Sequence, residues 1–206
     1  MTGRKGKWRK AAEGKRNRRV AGVPLLIGVL PLEKGSGATQ LSIMLANYLT
    51  AKERENGVVV FQRRETLAEL GRVLGCEEKS RLTIKGMDFL AYEETQMSRI
   101  MNEGYQFILW CFSSPEGEQW EEFLRCNRHL VICNLAEWHR EKLEEFVKEN
   151  KDMGGFVQWR FLSAFGPRER FRELERKTDV KIGRIPWCED PFSIKREWFP
   201  FLDGLV

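Results

Sequence analysis

The sequence predicts an α/β fold: a mostly parallel β-sheet with helices packed on both of its faces. Three observations carry that reading. Short apolar runs alternate with longer amphipathic ones along most of the chain, the pattern of strand–helix–strand units. The stretch Tyr105–Phe112 (YQFILWCF) is apolar nearly throughout, as a central strand buried on both faces must be. At 206 residues, 42% of them hydrophobic, the chain is long enough for one full domain with a sizeable core and short for two.

Taken in order, Val23–Leu30 is the first buried-strand candidate, and a Gly-containing turn, Glu33–Gly37, follows it. From Ala38 to about Arg54 the residues Leu41, Met44, Leu45, Tyr48 and Leu49 recur at helical spacing, and Gly57 ends that helix. Val58–Phe61 is a second, β-branched run. Thr66–Leu74 predicts a short helix closed by Gly75, Leu82–Tyr92 a single strand partly at an edge, and Glu94–Asn102 a helix capped by Gly104. Tyr105–Phe112 follows, then a strand at His129–Cys133 and a charged helix at Trp138–Lys148. Phe156–Phe165 predicts a strand, Pro167 opens a helix to about Arg176, and Val180–Ile185 is the last strand. A short aromatic-rich helix, Phe192–Leu205, closes the chain. No internal repeat and no domain-separating linker interrupts this series.

Charge divides the chain unevenly. Residues 1–19 hold nine Lys/Arg against one acid, Glu13, a net charge of +8; with the whole chain at +5, the remainder carries −3. The expected organisation is therefore a basic, disordered tail over residues 1–20 and a folded domain over 21–206. Such a tail has the composition to contact nucleic-acid phosphates or anionic lipid, with Trp8 as a stacking face or anchor. A solvated tail with only non-specific affinity fits it as well, since basic termini bind weakly without a second signal. No DNA-reading motif follows it. No apolar run approaches the ~20 residues of a membrane helix, and residues 20–30 lead into a Gly-rich turn rather than a cleavage site. Five scattered cysteines without CxxC spacing, and two histidines, point away from zinc and toward reduced thiols in a cytoplasmic protein.

The chemistry concentrates in LLIGVLPLEKGSGATQLSIMLANYL, a strand, a Gly-rich loop and a helix in immediate succession. Glycines let backbone N–H groups curl around an anion, and the helix points its positive end at the same place. In G-x-x-x-x-G-K-[ST] the lysine meets the β/γ-phosphates and the hydroxyl meets Mg²⁺. Here Gly37, Ala38 and Thr39 stand where G-K-T belongs, Ala38 replaces the lysine, and Leu32 replaces the opening glycine.

This region resembles the deviant phosphate loop of the ParA/MinD family, K-G-G-x-G-K-[ST], followed by a helix ending in L-A-N-Y-L-like residues. Leu45, Ala46, Asn47, Tyr48 and Leu49 match that ending. RHLVICNLAEWHREKLEEF resembles the family's strand–loop–helix after the catalytic strand, and Arg184–Phe192 (RIPWCEDPF) is similar to its I-P-x-D-P segment near the adenine. Within the family, the loop most resembles the TadZ/CpaE-like pilus-localisation branch, where a G-G-x-G-A-T variant occurs. The resemblance implies a P-loop NTPase-like three-layer fold. It also implies a site for ATP or ADP with Mg²⁺ at Lys34, Gly35, Ser36, Gly37, Ala38, Thr39, Gln40, Pro186 and Asp190, with Thr39 facing the metal.

The departures decide the expected activity. The family's signature lysine maps to Glu33, with Lys34 beside it; the acid after the second strand maps to Gln62 or Arg63; the acid after the central strand maps to Cys111, with Ser113 in place of a glycine. Phosphoryl transfer depends on positioning and charge neutralisation, and these losses remove most of both. The expectation is a non-hydrolysing ParA/MinD-like adaptor or localisation protein, cytoplasmic or peripheral to the inner face of the membrane, serving a larger protein assembly and with room for a homodimer. A divergent ATPase using Lys34, and a tether acting through residues 1–19, are the alternatives. Whether the loop holds phosphate or is only a strand-to-helix turn stays open. Glu116, Glu118, Glu121 and Glu122 beside Trp120, and Glu141, Glu144, Glu145 and Lys148, read as solvated faces. Trp187, Trp198, Phe192, Phe199 and Phe201 are either core or a partner surface.

Overall fold

Alternating side-chain direction along the strands places two separate cores on the two sides of one sheet. The computed structural model describes residues 22–53, 56–76, 80–93 and 97–206; the expected basic tail lies outside them. The strands are β1 (Leu25–Pro31), β2 (Gly57–Phe61), β3 (Arg81–Ile84), β4 (Met87–Ala91), β5 (Phe107–Cys111), β6 (Arg128–Cys133), β7 (Arg160–Ser163) and β8 (Ile182–Arg184). They form one sheet in the order β3-β4-β2-β5-β1-β6-β7-β8. Every neighbouring pair is parallel except β3–β4.

Among the described residues, seven helices cover it: α1 (Ala38–Glu53), α2 (Arg64–Val73), α3 (Met97–Asn102), α4 (Glu118–Leu124), α5 (Arg140–Asn150), α6 (Arg168–Thr178) and α7 (Phe199–Asp203). Ile27 and Val29 of β1, with Phe107 and Leu109 of β5, point to the side of α1, α2 and α7. Leu26 and Leu30, with Ile108 and Trp110, point to the side of α3 to α6. A period of two therefore makes each central strand apolar on both faces, and each fully buried aliphatic side chain contributes about 2 kcal/mol.

The sequence predicts one strand over Leu82–Tyr92; the structure has a hairpin, β3 and β4. Ile84 pairs with Met87, and Lys85 and Gly86 between them have φ of +50° and +85°. Positive φ at both central residues matches the right-handed twist of the paired strands, and glycine takes one of these positions without strain. Lysine at the other is an unusual choice, which hides the turn in the sequence. The Phe156–Phe165 stretch also divides, into a 3-10 turn at Phe156–Gln158 and β7; the expected Trp138 helix begins as a 3-10 turn at Glu137–His139 before α5. Arg196–Trp198 is a further 3-10 turn that leads into α7.

α1 departs from an amphipathic helix in a way that matters for function. Residues 41–49 are buried on every side, because the C-terminal segment covers the face turned away from the sheet. Gln40 Nε2 donates to the Cys188 carbonyl, Asn47 Nδ2 to the Pro191 carbonyl at 3.4 Å, and Tyr48 OH to Asp203. Lys52 Nζ reaches Asp203 Oδ1 at 2.5 Å, and the Tyr48 ring meets Phe199 edge-on at 5.1 Å. Of the C-terminal aromatics, Phe192 and Trp198 are buried in this cover, while Trp187 is 75% exposed. No helix among the described residues is long and apolar enough to cross a membrane.

The strand next to β5 tests this packing. A Cβ on Gly57 would stand 1.9 Å from Phe107 Cζ, inside a ring that is fully buried. Gly57→Ala is expected to lower unfolding stability by about 3 kcal/mol, the upper end of overpacking costs, as read by urea denaturation; an unchanged midpoint would refute the contact.

Candidate functional site

The end of β1 turns into α1 through residues 32–37. Leu32 N–H extends the sheet pairing to the Ile132 carbonyl at 2.9 Å, and Gly35 and Gly37 then take φ of +81° and +100°. The first helical hydrogen bond runs from Leu41 N–H to the Gly37 carbonyl at 3.0 Å. Among the described residues, the backbone N–H groups of 34–40 have no acceptor. Such a run of unpaired donors at the start of a 16-residue helix is an anion cradle. Ser36, between the two glycines, has a buried Oγ with no hydrogen-bond partner.

These residues border a cavity of about 600 Å³. Lys34, Gly35, Ser36, Gly37, Ala38, Thr39 and Gln40 all line it, together with Gln62, Arg63 and Cys111 at the ends of β2 and β5. Pro186 and Asp190 do not. Asp190 Oδ1 instead accepts the Phe192 N–H at 2.9 Å, closing a local turn, and Glu189 and Pro191 border the cavity in their stead. Glu65 and Glu69, one helical turn apart on α2, also line it. Sequence reasoning missed those three acids, because carboxylates on a surface helix or loop read as a solvated face.

The two lysine positions hold residues that bring no positive charge to the cradle. Ala38 is buried. Glu33, only 8% exposed, has its carboxylate in contact with His139 Nδ1 and paired, at 3.6 Å, with Lys142 Nζ. Both partners come from the segment following β6, so the carboxylate at this position is held within its own chain. Lys34 is exposed and has no ion-pair partner among the described residues.

The acid positions are changed as thoroughly. Gln62 Oε1 accepts the Trp110 indole N–H at 3.1 Å, and Arg63 pairs with Glu65 at 3.5 Å. Ser113 is held by Gln119 Oε1, from its Oγ at 2.9 Å and its N–H at 3.3 Å. Burial pushes the Cys111 thiol up to about 11, only partly offset by hydrogen bonding with Ser42 and Thr39, so the thiol is neutral at pH 7. The donor set thus suits a phosphate but not Mg²⁺. The cradle and the orphaned Ser36 Oγ are donors for an oxyanion. Beside Thr39, where a hard cation needs anionic or carbonyl oxygen, stands a neutral sulfur.

Three solved structures place this architecture among known proteins. A ParA family ATPase from Chlorobium tepidum TLS superposes with a TM-score of 0.59 at 13% identity, over 81% of this chain and 85% of that one. A plasmid partition protein from Borrelia burgdorferi B31 bound to AMPPNP gives 0.61 at 14% identity, over 88% and 96%. The chain has a ParA/MinD-like P-loop fold. The septum site-determining protein MinD of Pyrococcus horikoshii OT3, complexed with Mg-ADP, agrees, with 0.56 at 16% identity over 88% and 86%. No protein-family model matches the sequence, and neither does any curated protein. At these identities the ParA/MinD-like likeness is one of fold.

Burial of the thiols predicts a pH dependence. Cys111 is raised to about 11, and Cys126 and Cys133 to about 12, each mainly by desolvation, from an ordinary value of 9.0. The folded chain therefore keeps protons that the unfolded chain loses first. Stability from this source is complete below pH 9 and is lost as pH rises toward 11 and 12. The urea midpoint is expected to fall steadily above pH 9; a flat profile up to pH 11 would contradict the burial of these thiols.

Proposed function

We propose that this chain is a non-hydrolysing ParA/MinD-like protein, an adaptor or localisation factor that works by binding. The observation that carries the reading is the occupancy of both lysine positions. Ala38 brings no charge, and Glu33 brings a negative one that His139 and Lys142 already hold. A transferring phosphoryl group needs its charge neutralised where it develops, and no residue of the loop does that from either position. Gln62 and Cys111, tied to Trp110 and to neutral hydroxyls, likewise offer no carboxylate to position water or metal.

ATP or ADP is the proposed ligand of the cavity. The cradle of unpaired N–H groups and the orphaned Ser36 hydroxyl support it, and neighbours of the same fold are bound to AMPPNP and to Mg-ADP. The proposed setting is the cytoplasm or the inner face of the membrane, in a larger protein assembly. A TadZ/CpaE-like role at a pilus apparatus fits the G-S-G-A-T loop. The domain of residues 21–206 would act there as a partner-binding body, alone or as a homodimer, and the basic segment of residues 1–20 as an arm. In a dimer, Glu33 could not reach a partner's phosphate as a lysine would, because its own chain holds it.

Lys34 favours a second reading, a divergent ATPase, since it lines the cavity and has no ion-pair partner among the described residues. Phosphate release from ATP by the wild-type chain and by Lys34→Ala separates the two. Equal, background-level release from both is expected. Release above background that Lys34→Ala abolishes would replace the adaptor reading with the enzymatic one.

A further inference from the structure

We infer that the cavity binds the phosphates of a nucleotide without a divalent cation, an inference that rests on the reading of residues 33–40 as a phosphate cradle. The favourable part of the site consists of donors: the unpaired N–H groups of 34–40, the Ser36 hydroxyl with no partner, and the Lys34 ammonium at the rim. All of them act on a phosphate oxygen directly, and none needs a metal as intermediary.

The metal side of the site is different. A P-loop cation is held by the loop hydroxyl, by phosphate oxygens and through water by a carboxylate at the end of a neighbouring strand. Here the residue at the end of β5 is Cys111, buried, with its Sγ 4.0 Å from the Phe112 carbonyl and the hydroxyls of Thr39 and Ser42 beside it. Ser42 Oγ in turn donates to the Ala38 carbonyl at 2.9 Å, so this contact is part of the helix start rather than a vacant ligand position. A neutral thiol neither attracts Mg²⁺ nor orients its water shell, and a soft ligand is a poor exchange for a hard one. The strand-end residue after β2 is Gln62, whose carbonyl oxygen is taken by Trp110.

The carboxylates that do line the cavity stand elsewhere. Glu33 is held by His139 and Lys142, Glu65 by Arg63, and Glu69 and Glu189 lie on α2 and on the segment after β8. Glu69 and Glu189 have no ion-pair partner among the described residues, and without a divalent cation they disfavour each additional phosphate charge. The site therefore holds ADP at least as well as ATP, the reverse of a cavity that reads the γ-phosphate through Mg²⁺.

Calorimetric titration of the full chain with ADP and with ATP, each in EDTA and in excess magnesium chloride, tests this. The expected result is ADP binding in EDTA that excess magnesium does not tighten, and weakens to the extent that it chelates the free nucleotide, with ATP binding no more tightly than ADP. Cys111→Asp restores a carboxylate at the strand end and is expected to make binding tighter with magnesium than without. Cys111→Ser, near in volume and uncharged, is expected, like the wild-type chain, to gain nothing from magnesium and controls for any loss of folding in the first variant. ADP binding by the wild-type chain that tightens about tenfold or more with magnesium would overturn the proposal while leaving the adaptor reading intact. A folded Cys111→Asp that still ignores magnesium would also overturn it. Absence of binding in either buffer removes the phosphate cradle itself, and the nucleotide part of the proposed function with it.

Discussion

The enclosure of α1 is the constraint on which the site depends. A helix that starts a phosphate loop must be held rigidly, because its N-terminal N–H groups are useful only if they converge on one point. In this chain residues 41–49 are buried on all sides, between the sheet and a C-terminal segment bonded to it through Gln40, Asn47, Tyr48 and Lys52. Tyr48 and Asn47, which belong to the stretch resembling the family's L-A-N-Y-L ending, thus have a structural task. They attach the last eighteen or so residues to the helix that positions the loop, a task independent of any chemistry at the loop.

Glu33 shows how a loop can change its electrostatics without changing its path. A carboxylate pointing into the cradle would repel phosphate, and the same group buried without partners would carry a large desolvation cost. Its contact with His139 and its ion pair with Lys142 meet both difficulties by drawing it toward the segment after β6. The backbone of Gly35 and Gly37 keeps its positive φ angles, and the helix keeps its start. In general, main-chain donors survive substitution of side chains, whereas charge neutralisation by a side chain does not.

A second polar cluster shows the same economy at the far edge of the sheet. Asp88 of β4 is wholly buried, yet it accepts from Arg81 at 2.8 Å, Thr83 at 2.6 Å and Tyr105 at 2.7 Å. Arg81 and Thr83 stand on β3, so the hairpin exists in part to bring this carboxylate its partners. Nothing in the periodicity of Leu82–Tyr92 announces a turn at Lys85–Gly86, since lysine is a poor marker of a positive φ. That is why one strand is predicted where two occur.

Local chemistry by itself determined the layered α/β fold, most of its elements and the place of the Gly-rich strand-to-helix turn, because strand and helix periods and glycine-dependent turns are written in neighbouring residues. It also determined that Ala38 and Glu33 stand where lysines would. Tertiary structure decided what those replacements mean. Whether Glu33 faces the cradle or leaves it depends on His139 and Lys142, about a hundred residues away. Whether Cys111 carries charge depends on its burial beneath Thr39 and Ser42, and whether Asp190 or Glu189 meets the cavity depends on a turn closed at Phe192. Each is a contact between distant segments, set by packing energy rather than by local preference, and no short stretch of sequence contains it.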